Sequence, residues 1–121
     1  MKAWIGKAII AVGIIHTLFG FVGFRKTLTT LVQEGLFNTV NGQAQREFVF
    51  WFIALGIFGI LLGFVVDWCE KNALDLPAFF GWAFLSTVMF FIFIMPVSGW
   101  WLLLVPAIGA ILRSRKRIIK E

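Results

Sequence analysis

The side chains with chemistry to offer are few. His16 is the only histidine and stands in the middle of an apolar run over 8–24. Ser86 and Thr87 stand in the middle of another run, 77–95, and Asp67 closes a third, 48–66. Ionisable groups within a bilayer are costly and mark function by default. Three chemistries are open to His16. It can hydrogen-bond to the hydroxyl of Ser86 or Thr87, satisfying a polar group that has no water to turn to. It can accept a proton or hold a polar substrate in a transport pathway, with Asp67 as an inner relay group. It can be an axial haem ligand with Met89 or Met95 as the second ligand. With one histidine per chain, bis-histidine ligation would require a homodimer. Apart from haem at His16, no metal and no cofactor is expected.

Absent motifs narrow the field. No Walker loop, CxxC, HExxH or GxSxG occurs. A Ser–His–Asp triad would need His16 at the midplane to reach Asp67 or Asp75 near the inner surface. No catalytic residue is assigned, and the expectation is a non-enzymatic protein. The single cysteine, Cys69, can form no intrachain disulfide.

Composition says which elements position these groups. Of 121 residues 60% are hydrophobic and 14% charged, against about 25% charged in an ordinary soluble domain. Mean hydropathy is +0.94. One helical crossing takes roughly 20 apolar residues, so four crossings would use most of the chain. A water-soluble enzyme, a two-domain protein and a disordered chain do not fit. The expected fold is all-α: one membrane domain over 1–121, a four-helix bundle spanning at about 5–24, 48–66, 77–95 and 99–113. The loop over 25–46 is expected outside, with a short amphipathic helix capped by Thr27 and stopped by Gly35. The tail over 113–121 is basic. Pro96-Val97-Ser98 argues for a hairpin between the last two spans rather than one long helix, and Pro106 is expected to kink the last.

The net charge of +5 comes from 11 Lys+Arg against 6 Asp+Glu. With four crossings one side holds Lys2, Lys7, Lys71, Arg113, Arg115, Lys116, Arg117 and Lys120, and the other only Arg25, Lys26 and Arg46. That bias places both termini in the cytoplasm of a plasma (inner) membrane. The partner is therefore the lipid bilayer, with a homodimer or membrane-protein partner open, and not nucleic acid.

Residues 11–24 (AVGIIHTLFGFVGF) echo residues 54–67 (ALGIFGILLGFVVD). Gly13 and Gly20 share one face of the first helix; Gly56 and Gly63 do so on the second. Small residues at this spacing let backbones approach closely, so the two helices are expected to pack antiparallel there. His16 shares the first face, and its counterpart in the echo is Gly59. An imidazole opposite that notch is the one specific concavity expected, holding a hydrophobic ligand or a membrane partner. Asp67 continues the second face and is expected to meet basic residues of the tail.

Several elements are familiar together: Gly13-x-x-His16, Phe37-Asn38, Phe50-Trp51-Phe52, Gly63-x-x-x-Asp67, Gly81-Trp82 and Met95-Pro96-Val97-Ser98-Gly99-Trp100. The chain resembles a family of small, uncharacterised bacterial four-helix integral membrane proteins with no established activity. The resemblance implies a fold and a bacterial inner-membrane setting, and it implies no reaction.

Overall fold

A computed structural model describes residues 2–119; Lys120 of the basic tail lies outside the described residues. Among these the fold is all-α, with five helices, a 3₁₀ turn and no strand. The helices are α1 (Ile5–Gly23), α2 (Arg25–Gln33), α3 (Ala44–Lys71), α4 (Ala78–Ile94) and α5 (Leu104–Ile118), with the 3₁₀ turn over Gly99–Leu103. Only α1 and α3 are long and apolar enough to cross a membrane by length and composition; α4 is a shorter apolar helix.

Helix ends follow local chemistry rather than the limits of the apolar runs. α2 starts at Arg25, directly after a bend at Phe24, so Thr27 lies inside the helix and is not its cap. Its C-terminus is closed by Leu36 N–H to Leu31 O at 2.9 Å and Gly35 N–H to Val32 O at 3.0 Å, with Gly35 at φ +92°. This doubled cap needs a left-handed residue, which glycine supplies without a Cβ penalty. α3 exceeds the expected 48–66 at both ends, because Gln45, Arg46, Glu47, Glu70 and Lys71 are good helix formers whatever their polarity. It closes with the same doubled cap, Leu74 N–H to Cys69 O at 2.9 Å and Ala73 N–H to Glu70 O at 3.3 Å. Here the left-handed residue is Ala73, at φ +54°.

The chain does turn back at Pro96-Val97-Ser98. Ser98 Oγ accepts from Trp100 N–H at 3.4 Å and donates to Met95 O at 2.8 Å, and Trp101 Nε1 donates to Pro96 O at 2.8 Å. The last helix changes character ahead of Pro106, where the 3₁₀ turn gives way to α5. Pro106 sits in the first turn of α5, where its missing N–H costs no bond. The change of helix type falls at this junction, two residues ahead of the proline.

α1 lies between α3 and α5, and α4 packs on α5. α1 and α3 meet antiparallel on glycines. A Cβ at Gly13 would come within 2.8 Å of Ile60, one at Gly63 within 2.6 Å of Ile10, and one at Gly56 within 2.2 Å of Thr17 Oγ1. A Cβ at Gly20 would come within 3.0 Å of Phe52, and one at Gly6 within 2.2 Å of the Asp67 backbone N. As one number in each pair rises its partner falls in step, so one register holds from Gly6 to Gly20. Ile5, Ile9, Val66 and Ala110 form a buried cluster where α1, α3 and α5 converge, and Leu76, Phe80 and Phe84 pack against it. Gly81 receives Ile111, and Gly109 receives the Trp4 ring.

Two substitution series test this packing by thermal unfolding of the purified chain. Gly6→Ala and Gly63→Ala force backbone apart and should each cost about 1–3 kcal/mol, whereas Gly59→Ala, with nothing within 4 Å of its Cβ, should be neutral or stabilising. Ala73→Gly should raise stability by about 1 kcal/mol, by relieving a left-handed non-glycine residue.

Candidate functional site

His16 is half-buried at the edge of the α1–α3 contact. Its Nε2 lies 2.8 Å from the carbonyl oxygen of Phe52, and its ring stacks on the Phe52 ring with centroids 3.9 Å apart and planes 16° apart. A carbonyl can only accept, so Nε2 carries the proton and donates. In the neutral ring Nδ1 is then left with a lone pair. Gly56 makes this approach feasible, because a Cβ there would fall 3.0 Å from His16 Cδ2. Thr17, beside it, turns its hydroxyl back to Gly13 O at 2.8 Å.

The expected partners of His16 are elsewhere. Ser86 and Thr87 are exposed on α4, and Thr87 Oγ1 donates to Ala83 O of its own helix at 2.8 Å. The acceptor that the imidazole reaches is the second lone pair of a backbone carbonyl inside α3, a partner no residue-type pattern reveals. Met89 on the same helix and Met95 just after its end are about half exposed. The notch facing the ring is Gly56; Gly59, the echo counterpart, opens onto free space one turn further along α3. Among the described residues no group of three or more His, Cys, Asp or Glu could hold a metal ion.

Asp67 is not near His16. It stands beside Gly6, roughly 15 Å further along α1 at 1.5 Å per residue. Its carboxylate is paired with Lys7 at 3.2 Å and Lys71 at 2.6 Å, and among the described residues no basic group of the tail pairs with it. The tail's Arg113 goes to Glu70 instead, and this centre had no place in the pattern of the apolar runs. Glu70 Oε1 accepts from Gly6 N–H at 2.6 Å; Oε2 accepts from Trp4 N–H at 3.1 Å and Ile5 N–H at 3.3 Å. Arg113 Nη1 donates to the same Oε2, while Nη2 donates to Lys2 O at 2.6 Å. The Glu70 side chain is only 1% exposed. α1 has no capping side chain of its own, since Trp4 holds the N-cap position. Its first N–H groups carry the positive end of the helix dipole, and Glu70 supplies the missing acceptor from another helix. A helix start without Ser, Thr, Asp or Asn was the available signal.

At the opposite end Arg46 makes a two-pronged bond to Glu34, at 2.5 and 3.0 Å, and donates to Thr39 O at 2.8 Å. This ties the loop after α2 to the start of α3. Glu47 accepts from Gly42 N–H at 3.0 Å. The Arg46 guanidinium holds the Glu34 carboxyl below the usual glutamate range.

A chain of helices with an apolar exterior and ion pairs confined to its ends belongs to the class of small all-helical proteins with membrane-crossing potential. It is a member of a family of unknown function, DUF6463, whose model matches residues 1–117. No curated protein and no solved structure matches it.

Truncating Glu70 to Ala leaves three N–H groups and Arg113 unpaired and should destabilise the chain by about 3–5 kcal/mol in denaturant titration, with Glu70→Gln losing less. A folded-state carboxyl held below its unfolded value stabilises above the unfolded pKa and ceases to do so as pH falls through the depressed value. Amides over 34–42 should therefore lose hydrogen-exchange protection on acidification through that range, and Glu34→Gln should make protection there independent of pH.

Proposed function

We propose that this chain is a non-enzymatic integral membrane protein with four crossings and both termini in the cytoplasm, binding an apolar ligand or membrane partner around His16. The observation that carries the membrane reading is where the large apolar side chains point. Phe19 is 67% exposed, Phe58 69% and Phe93 85%. A soluble fold would bury such residues, whereas hydrocarbon is their natural surrounding. α4 has 17 residues, about 25 Å of helix. The 3₁₀ turn with α5 up to Leu112 gives about 24 Å. Both suit a bilayer core of about 30 Å with modest adjustment by snorkelling of Arg113 and Arg115.

The ends support the orientation. Lys7, Lys71 and Arg113 meet at one end through Asp67 and Glu70, Arg113 also holds the Lys2 backbone carbonyl there, and Arg115 lies over the Trp82 ring at 5.9 Å from its centroid. That cluster has the basic excess of a cytoplasmic face. The support for a binding rather than a catalytic role is local: the proton-bearing nitrogen of His16 is committed to the Phe52 carbonyl, and the hydroxyls of Ser86 and Thr87 are on another helix. A proton pathway linking His16 to Asp67 would have to cross the gap of roughly 15 Å between them.

The single native thiol tests topology. In cells expressing the chain, a membrane-impermeant maleimide should label Cys69 only in inside-out vesicles. Cys69 is half-buried, so Asn72→Cys with Cys69→Ser repeats the measurement at an exposed position, and Thr39→Cys with Cys69→Ser should label only from outside. Release of the chain from membranes by alkaline carbonate, or labelling of position 72 from outside, would overturn the reading.

A further inference from the structure

The end of the fold opposite the Glu70–Arg113 joint carries a cleft of about 600 Å³. It lies where α1 passes into α2, beside the first turn of α3. Its lining joins apolar Val22 and Phe24 to polar Arg25, Lys26, Thr27 and Gln45, and it includes no carboxylate. The ion pairs among the described residues take Lys7, Arg46, Lys71 and Arg113, and none takes Arg25 or Lys26. The acids of this end are engaged elsewhere, Glu34 by Arg46 and Glu47 by the Gly42 N–H. Thr29 and Thr30 return their hydroxyls to Arg25 O at 2.7 Å and Lys26 O at 3.1 Å. The Thr27 hydroxyl and the Gln45 amide have no such partner among the described residues. One cleft thus gathers two unpaired cations and two free hydrogen-bonding groups beside apolar side chains.

We infer that this cleft binds the phosphate headgroup of an anionic lipid, with Arg25 and Lys26 on the phosphate and the acyl chains running along α1 past Val22. This rests on the reading of the chain as a membrane protein and is independent of any ligand at His16. The volume falls within the range of about 300–1,000 Å³ usual for small-molecule clefts. A guanidinium fork matches two phosphate oxygens at once, and an ammonium adds a point charge. The lining also sets a preference among headgroups. The ammonium of a zwitterionic lipid would meet two cations there and no carboxylate. The level of the cleft selects a lipid over a free anion. Arg25 directly follows the apolar span, and Val22, three residues earlier, is 71% exposed. A molecule seated there meets headgroup water at one end and hydrocarbon at the other. Basic residues are disfavoured on the outer face of membrane proteins. Of the three on this face, Arg46 is held by Glu34, and the other two line this cleft.

The test follows glycine amides in the full chain, labelled with ¹⁵N-glycine, in dodecyl maltoside micelles. Gly23 lines the cleft, while Gly13 and Gly63 report that the α1–α3 seam is intact. Phosphatidylglycerol should shift the Gly23 amide saturably, at roughly tenfold lower concentration than phosphatidylethanolamine with the same acyl chains. Glycerophosphoglycerol, the same charged headgroup without acyl chains, should leave Gly23 unmoved over that range. Arg25→Gln with Lys26→Gln alters two exposed side chains and should abolish the preference between the lipids. Arg115→Gln with Lys116→Gln removes the same charge from the opposite end and should preserve it. A Gly23 amide that no lipid moves, equal response to both lipids, or a preference that survives Arg25→Gln with Lys26→Gln would overturn the inference. Saturation by the deacylated headgroup at the lipid's concentrations would also overturn it, by showing a site for a free anion. Each of these results leaves the membrane reading standing, because labelling at positions 39 and 72 decides that separately.

Discussion

The close antiparallel approach of α1 and α3 is the constraint from which the other features follow. In a hydrocarbon surrounding, apolar side chains gain little by leaving lipid for one another, so helices are held by packing contacts and hydrogen bonds. Glycines at positions 6, 13, 20, 56 and 63 bring the two backbones near enough for both. The His16 bond to a backbone carbonyl is possible only because Gly56 presents no Cβ to the ring. The seating of Gly6 against the Asp67 backbone brings the start of α1 level with the last turns of α3, where Glu70 can cap it. One register thus fixes a polar contact at mid-seam and a charged joint at its end.

That charged joint gathers three helices. Glu70 of α3 holds the N–H groups at the start of α1, Arg113 of α5 holds Glu70, and the same guanidinium holds the Lys2 carbonyl. Trp4 lies in the notch at Gly109 on the same level. The buried carboxylate is compensated by hydrogen bonds as well as by a cation, the condition under which burial of a charge is tolerated. α4 has no part in the joint; it reaches the assembly through α5 and through Phe80 and Phe84.

Much of this was legible in the residues and some was not. The all-helical class followed from uninterrupted apolar runs, and the reversal before Gly99 from Pro96 and Ser98. Seven-residue glycine spacing marked the face on which α1 and α3 meet. The error over which glycine faces His16 came from aligning the two segments in parallel. Antiparallel helices pair positions in opposite order, which brings Gly56 to the ring and leaves Gly59 beside it. The stop of α2 at Gly35 was legible, but its start was misplaced because Thr27 was taken as a cap, and both ends of α3 were misjudged because apolar character was used as the measure of helix length, whereas helix propensity decides it. The partner of His16 and the roles of Glu70 and Arg113 were hidden for a shared reason. Backbone carbonyls and helix-start N–H groups are the same at every position, so no residue type announces them.

The glycine contacts of the seam do not extend to Gly59, which has open space beside it. The imidazole ring itself is held at Gly56, between the Phe52 ring and the Phe52 carbonyl. The ring's orientation, and with it every functional statement about His16, depends on which nitrogen bears the proton. That is measured directly by the ¹⁵N spectrum of the one histidine in the ligand-free chain. A ring that keeps its proton on Nε2 is predicted. A ring with Nε2 unprotonated, or one averaging between tautomers, would mean that the bond to Phe52 does not hold and that the seam is not packed as described.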